Sequence, residues 1–231
     1  MTNLSFGGLA TASAQSTGGQ FMRAYNIYEG VKLSEISDPI TGKKQDGSDW
    51  KAYDFIFEDQ NGATYKERIF VPDGEAAVTR RDKPNGNGQF PSDMERIQTF
   101  IAHVVGTLNP DGFKKLQVAA PKIKGFDELF AVVKKIMTGC TNTTKMKLGG
   151  RVNNGTVYAS LPNFVNVNKN GECYLSDNFL GENVAFSAWE LGKKQEMEKA
   201  TPTKMESSDS TLNVSEPESD DSNLDDLINS L

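Results

Sequence analysis

At 231 residues the chain has room for one well-buried core with tails, or for two small domains. Only 37% of it is apolar and its formal charge is −6, so a polar excess must sit outside any packed interior. Two distant cysteines and a single histidine exclude a disulfide framework and a zinc site, and no stretch approaches the roughly 18 apolar residues of a membrane span.

Residues 1–20 are rich in Gly, Ser, Thr, Ala and Gln and read as a flexible arm. They lack the basic stretch and apolar run of a signal peptide, which predicts a cytoplasmic protein (host cytoplasm if viral) with reduced thiols. Residues 21–36 read as a long strand through Tyr25, Ile27, Tyr28, Val31, Leu33 and Ile36. The alternation slips by one residue around Gly30, which predicts a bulge or sharp bend. Turn residues follow, among them Lys43 and Lys44. Segments 50–57 and 63–71 read as a hairpin, because the Asn61-Gly62 pair between them is the strongest short-range hairpin signal. Residues 72–91 read as a loop with a basic, glycine-rich centre that holds Arg80, Arg81 and Lys83.

Ser92-Asp93 can cap a helix whose apolar positions are Met94, Ile97, Ile101, Val104, Val105 and Leu108, and Asn109-Pro110-Asp111-Gly112 reads as its stop. A second helix spans about 127–137, closed by Gly139. Strand character returns at 143–152 and 156–161, joined by Asn153-Asn154-Gly155, with shorter extended pieces at 164–167, 172–175 and 184–189. Periodicity ends after Leu191. The expected domains are therefore an arm at 1–20, a body at 21–191 and a disordered acidic tail at 192–231.

A long bent strand, a hairpin, a helical stretch and a second hairpin occur in the order of an OB-fold. The predicted fold is mainly β with a helical insertion: a five-stranded Greek-key barrel with two helices between strands 3 and 4. A generic α+β sandwich is the alternative.

Candidate binding residues come from strand alternation. On 143–152, Lys145, Lys147 and Arg151 share one face and Met146, Leu148 and Val152 the other, which predicts a wet basic face over an apolar one. Lys51 and Tyr53 share a face of the first hairpin, Lys66 and Arg68 share a face of its second strand, and Trp50 is the best candidate to stack on a base. Cations that track phosphates beside aromatic faces are how single-stranded nucleic acid is held. The Arg80, Arg81 and Lys83 loop fits a clamp, and Lys43 and Lys44 lie where an OB-fold has an edge of its binding face. No Walker loop, Gly-x-Ser-x-Gly elbow or metal-spaced cluster is present, so neither enzyme, cofactor nor metal is expected. His103 is expected to pack.

Residues 205–231 hold eight acids and no base, so residues 1–204 carry a net charge of +2. The acidic whole hides a mildly basic body. Leu224, Leu227, Ile228 and Leu231 recur at i, i+3, i+4 and i+7. If that stripe became helical on a partner, Asp225 and Asp226 would face away from it.

With these residues the chain resembles a phage-type single-stranded DNA-binding protein. The tail departs from the bacterial pattern of consecutive acids followed by Ile-Pro-Phe, because it has neither proline nor aromatic residue after Asp226. The resemblance implies a protein that coats single-stranded DNA, largely without sequence preference, during replication, recombination or repair. It implies a tail that recruits a polymerase, helicase or primase and competes with DNA. A membrane role is not expected, and a homodimer stays open. The rival reading is a protein–protein adaptor or virion-associated structural protein. Convergence of Lys43, Lys51, Lys66, Arg68, Lys145, Lys147 and Arg151 on one groove favours DNA, and scattering favours the adaptor.

Overall fold

The computed structural model describes residues 20–200 except 85, 87 and 155. The 1–19 part of the arm and the tail beyond 200, with Leu224, Asp225, Asp226, Leu227, Ile228 and Leu231, lie outside the described residues.

Strand β1 (Asn26–Ile36) is long because it serves two partners. Its second half pairs antiparallel with β3 (Asp49–Glu58), from Lys32 opposite Glu58 to Ile36 opposite Phe55. Its first half pairs with a strand far along the chain. The register breaks between Tyr28 and Val31, where Gly30 adopts φ +62 and a Cβ would lie 3.0 Å from that of Gln60. The bend expected at Gly30 is present, and only glycine takes that backbone without strain. Strand β2 (Ile40–Lys43) continues the same edge of β3. Strand β4 (Thr64–Phe70) pairs with the other edge, from Ala52 opposite Phe70 to Glu58 opposite Thr64. Their turn is organised by the Asp59 carboxylate, which accepts from the Asn61 and Ala63 amides at 2.8 Å each.

The segment read as loop contains a 3₁₀ turn at Gly74–Ala77 and a two-residue hairpin, β5 (Arg81–Asp82) with β6 (Gln89–Phe90). Helix α1 (Asp93–Leu108) opens on a capping box between Ser92 and Glu95. Asn109 ends α1 as expected, but it also opens a further helix that was not expected. Its side chain accepts from the Gly112 amide at 2.9 Å and Pro110 fills the first helical position, so α2 (Pro110–Ala119) starts there. Helix α3 (Phe126–Met137) matches the second expected helix. Strands β7 (Thr144–Asn153) and β8 (Thr156–Ser160) form the second hairpin, and β7 also pairs with the first half of β1. Strands β9 (Val165–Val167) and β10 (Cys173–Leu175) make a small separate sheet. The extended piece expected at 184–189 is absent. Helix α4 (Ala188–Ala200) begins there instead and continues past Leu191, where regular structure was expected to end. Packing divides the chain after Gln195.

The main sheet therefore runs β4-β3-β1-β7-β8, with β2 extending β1 along β3, and it is antiparallel throughout. It has six strands rather than five and does not close into a barrel, because β4 and β8 are not paired with each other. Near those strands' outer edges the Leu161 amide donates to the Tyr65 hydroxyl at 3.2 Å.

The core lies between the inner face of this sheet and the helices. Phe55 meets Phe100 of α1 edge-on at 5.0 Å, and Tyr53 stacks on Phe130 of α3 at 4.3 Å. Phe55, Phe57, Met146, Leu148 and Val31 are wholly buried. Each such side chain stabilises the fold by about 1.5–3 kcal/mol before the opposing loss of entropy. His103 packs as expected. Its Nε2 accepts from the Leu180 amide at 3.1 Å, its ring sits edge-on to Phe179, and burial lowers its pKa to about 4.

Candidate nucleic-acid interface

The outer face of β3 and β4 follows from alternation. Asp54 points outward at its centre and is itself buried, at 5% exposure. Arg68, directly opposite, donates to it from Nε at 2.7 Å and Nη2 at 2.9 Å, and Lys66 lies 3.4 Å from the same carboxylate. The Arg68 hydrogen bonds hold the Asp54 pKa below its usual range. One carboxylate between two cations leaves the trio one net positive charge.

Two residues beyond Arg68 on this face, Phe70 is 55% exposed and meets Trp50 edge-on at 5.5 Å. Trp50 lies across Gly42, where a Cβ would come within 2.5 Å of the indole. A glycine at 42 is what lets the indole lie flat against β2.

Past the free edge of β4 the surface drops into an open cleft of about 570 Å³, with β7 and β8 as its far wall. Lys66, Arg68, Arg96 and Arg151 line it, with Glu67 as the opposing acid. Burial pushes the Glu67 carboxyl above its usual pKa, and the Tyr65 hydroxyl donates to it. Arg96, from the first turns of α1, lies over the Phe164 ring at 5.6 Å. Arg151 is exposed, and among the described residues its guanidinium has no hydrogen-bond or ion-pair partner. Tyr158 sits directly opposite Arg151 across the β7–β8 ladder and is 54% exposed. A second hollow of about 240 Å³ continues the cleft along β4 toward the start of α1, sharing Arg68, Phe70 and Arg96.

Of the expected binding residues, Lys66, Arg68 and Arg151 converge here, with Trp50 at the β4 end through Phe70. The others do not. Lys147 corrects the expectation most sharply. Its face is not wet, because residues 177–190 cover it. The ammonium is 1% exposed and donates to Asp177 at 2.7 and 2.8 Å, to the Ala185 carbonyl at 3.0 Å and to Glu190 at 3.3 Å. Tyr53 is core rather than a stacking platform: it is 6% exposed, and its hydroxyl donates to Asp127. Burial first, then Asp127, raises its pKa to about 12. Lys51 turns to the same Asp127 at 2.8 Å, on the helical side of the sheet.

Lys43 pairs with Asp49 at 2.5 Å, Lys44 with Asp73 at 3.5 Å and Lys145 with Glu29 at 3.4 Å. Arg80 is an anchor rather than a clamp. It grips Glu95 and donates to the Gly171 carbonyl at 2.8 Å, which ties the β5–β6 hairpin to α1 and to the β9–β10 turn. That grip, chiefly the Arg80 hydrogen bonds, lowers the Glu95 pKa to about 2. Arg81 is exposed on β5, and Lys83 reaches Asn166 at 3.4 Å and lies over Phe90.

Phe70, Arg96 and Tyr158 were not anticipated. Phe70 was legible, since 66, 68 and 70 share a face by period two. Arg96 and Tyr158 enter only through the packing of α1 and β8 against the β4 edge.

Among the described residues no group of three or more His, Cys, Asp or Glu is placed to hold a metal, and no helix is long and apolar enough to cross a membrane. No family model, no curated protein and no solved structure matches the chain.

Proposed function

We propose that the protein binds single-stranded DNA, largely without sequence preference, along the face and cleft between β4 and β8. The observation that carries this reading is the cleft itself: four cations, two of them sharing Asp54, against Glu67, rimmed by the exposed rings of Phe70 and Tyr158. Arginines placed singly along a groove suit a phosphate backbone, and exposed rings suit unstacked bases of any identity. The strand order β4-β3-β1-β7-β8, with helices between the two hairpins, supports reading the sheet as an OB-fold opened between its third and fifth strands. This is a binding role, not an enzymatic one, serving replication, recombination or repair.

The tail's eight acids and apolar stripe support a second part of the reading. It recruits a polymerase, helicase or primase and competes with DNA as a tethered polyanion. Deleting 205–231 should then tighten binding to oligo-dT.

The test is titration of oligo-dT and of duplex DNA across a salt series with the full chain and with Arg96→Ala/Arg151→Ala. Single strands should bind better than duplex. The slope of log affinity against log salt should become shallower by about 0.7 for each phosphate that the variant no longer neutralises. Salt-independent binding, or an unchanged double variant, would reject the reading.

One observation favours the adaptor reading instead: Lys43, Lys51, Lys145 and Lys147 are each matched to an acid away from the cleft. Absence of any binding to oligo-dT at low salt selects that alternative.

A further inference from the structure

The cleft does not stop at β8. Ser160, Leu161 and Pro162 line both it and a third hollow of about 300 Å³ on the outer face of β7. Gly149 floors this hollow. A Cβ there would make ordinary van der Waals contacts, 3.7–3.9 Å from Ser160 and Pro162, so a larger side chain can be placed there to fill the hollow without a backbone clash. Tyr25 forms one wall, held under Gly150, where a Cβ would lie 2.3 Å from the ring. The other wall is Trp189, 69% exposed at the start of α4. An indole that far into solvent stabilises the fold little, and it stands beside a gap of the right kind for a flat ring.

The electrostatics say which part of a nucleotide belongs there. Asp177 and Glu190 reach the hollow, and the Lys147 ammonium is shared between them. Two carboxylates against one cation leave this end negative, and among the described residues no cation lines the hollow. A phosphate is repelled and a neutral ring is not.

We infer that Trp189 stacks on a nucleobase of the same single strand, in a slot floored by Gly149, so that the bound strand runs from Trp50 and Phe70 through the cleft to α4. This rests on the cleft being the DNA site. It makes Trp189 a binding residue and sets a minimum length for full engagement.

The chain has two tryptophans, which makes the test optical. In full-length Trp50→Phe the remaining emission is that of Trp189. Oligo-dT of graded length is added, with binding followed in parallel by the anisotropy of an end-labelled oligo. Long oligos should quench Trp189, and the shortest oligos that still bind should not. Trp189→Ala and, independently, Gly149→Val should each weaken long oligos by about 5- to 150-fold, the equivalent of one base stack, and leave short ones unchanged. The slot is overturned if oligo-dT binds while Trp189 emission stays constant and both variants keep wild-type affinity. If no oligo changes the anisotropy at low salt, the cleft reading fails and the slot falls with it. Weakening in Arg96→Ala/Arg151→Ala without weakening in the two slot variants removes the slot alone.

Discussion

Lys147 and Arg151 point to the same side of one strand, four residues apart, and meet opposite fates. Arg151 stands at the open end of β7 over a cleft, its guanidinium without a partner among the described residues. Lys147 lies under residues 177–190 with two carboxylates on its ammonium. The chain returns across β7 there: the Lys147 amide donates to the Phe179 carbonyl and the Gly181 amide to the Lys145 carbonyl, which covers an edge that β8 is too short to reach. A row of like charges on a strand is therefore not one site. What covers each residue decides whether it holds the fold or faces a ligand.

The comparison breaks most visibly at Lys147. Lys147→Ala strands Glu190, 7% exposed, beside Asp177 without their cation. Removing one partner of a buried ion pair costs about 3–5 kcal/mol. Urea unfolding should show that loss, while affinity of the remaining folded protein for oligo-dT too short to reach Trp189 stays near wild type. A stable variant that binds DNA poorly would reverse the assignment of the two regions. At the other end, Phe70→Ala should cost about 1–3 kcal/mol of binding and leave thermal stability nearly unchanged, since more than half of the ring is already in water.

A third test separates the regions by acid. His103 is held neutral by burial, with its pKa lowered to about 4, and it accepts from the same returning segment at Leu180. Between about pH 6.5 and 4 the unfolded chain takes up a proton that the folded chain refuses, so stability falls as pH falls through that window. The melting temperature should decline more steeply there in the wild type than in His103→Gln. Equal declines would show that the histidine is not the titrating group.

These two regions also mark how far the sequence could be read. The alternation on 143–152 identified Met146, Leu148 and Val152 as core; the first two are fully buried, but Val152, at the open end of β7, is 69% exposed. Which of the remaining residues stay wet depends on residues 177–190, and strand periodicity carries no trace of a segment that crosses from thirty residues away. The bend at Gly30, the first hairpin, α1 and α3 were legible because their signals are local. Two misses were local as well. Asn109-Pro110 reads equally as the end of one helix and the start of the next, and the structure uses it as both. Ser187 and Glu190 form a reciprocal cap, a Ser-x-x-Glu pattern that announces α4. The closed barrel failed for a longer-range reason, since β4 and β8 meet across a cleft rather than a ladder.

The divided loyalty of β1 also sets a timetable. Its second half finds β3 within a hairpin's distance, but Tyr28 must wait for Met146, about 120 residues later in synthesis. At about 5–20 residues per second, roughly 6–24 s pass on the ribosome before that partner emerges. During that interval the nascent chain carries an unmatched strand edge ending at Gly30, the residue of β1 whose φ is positive and where the strand bends between its two partners.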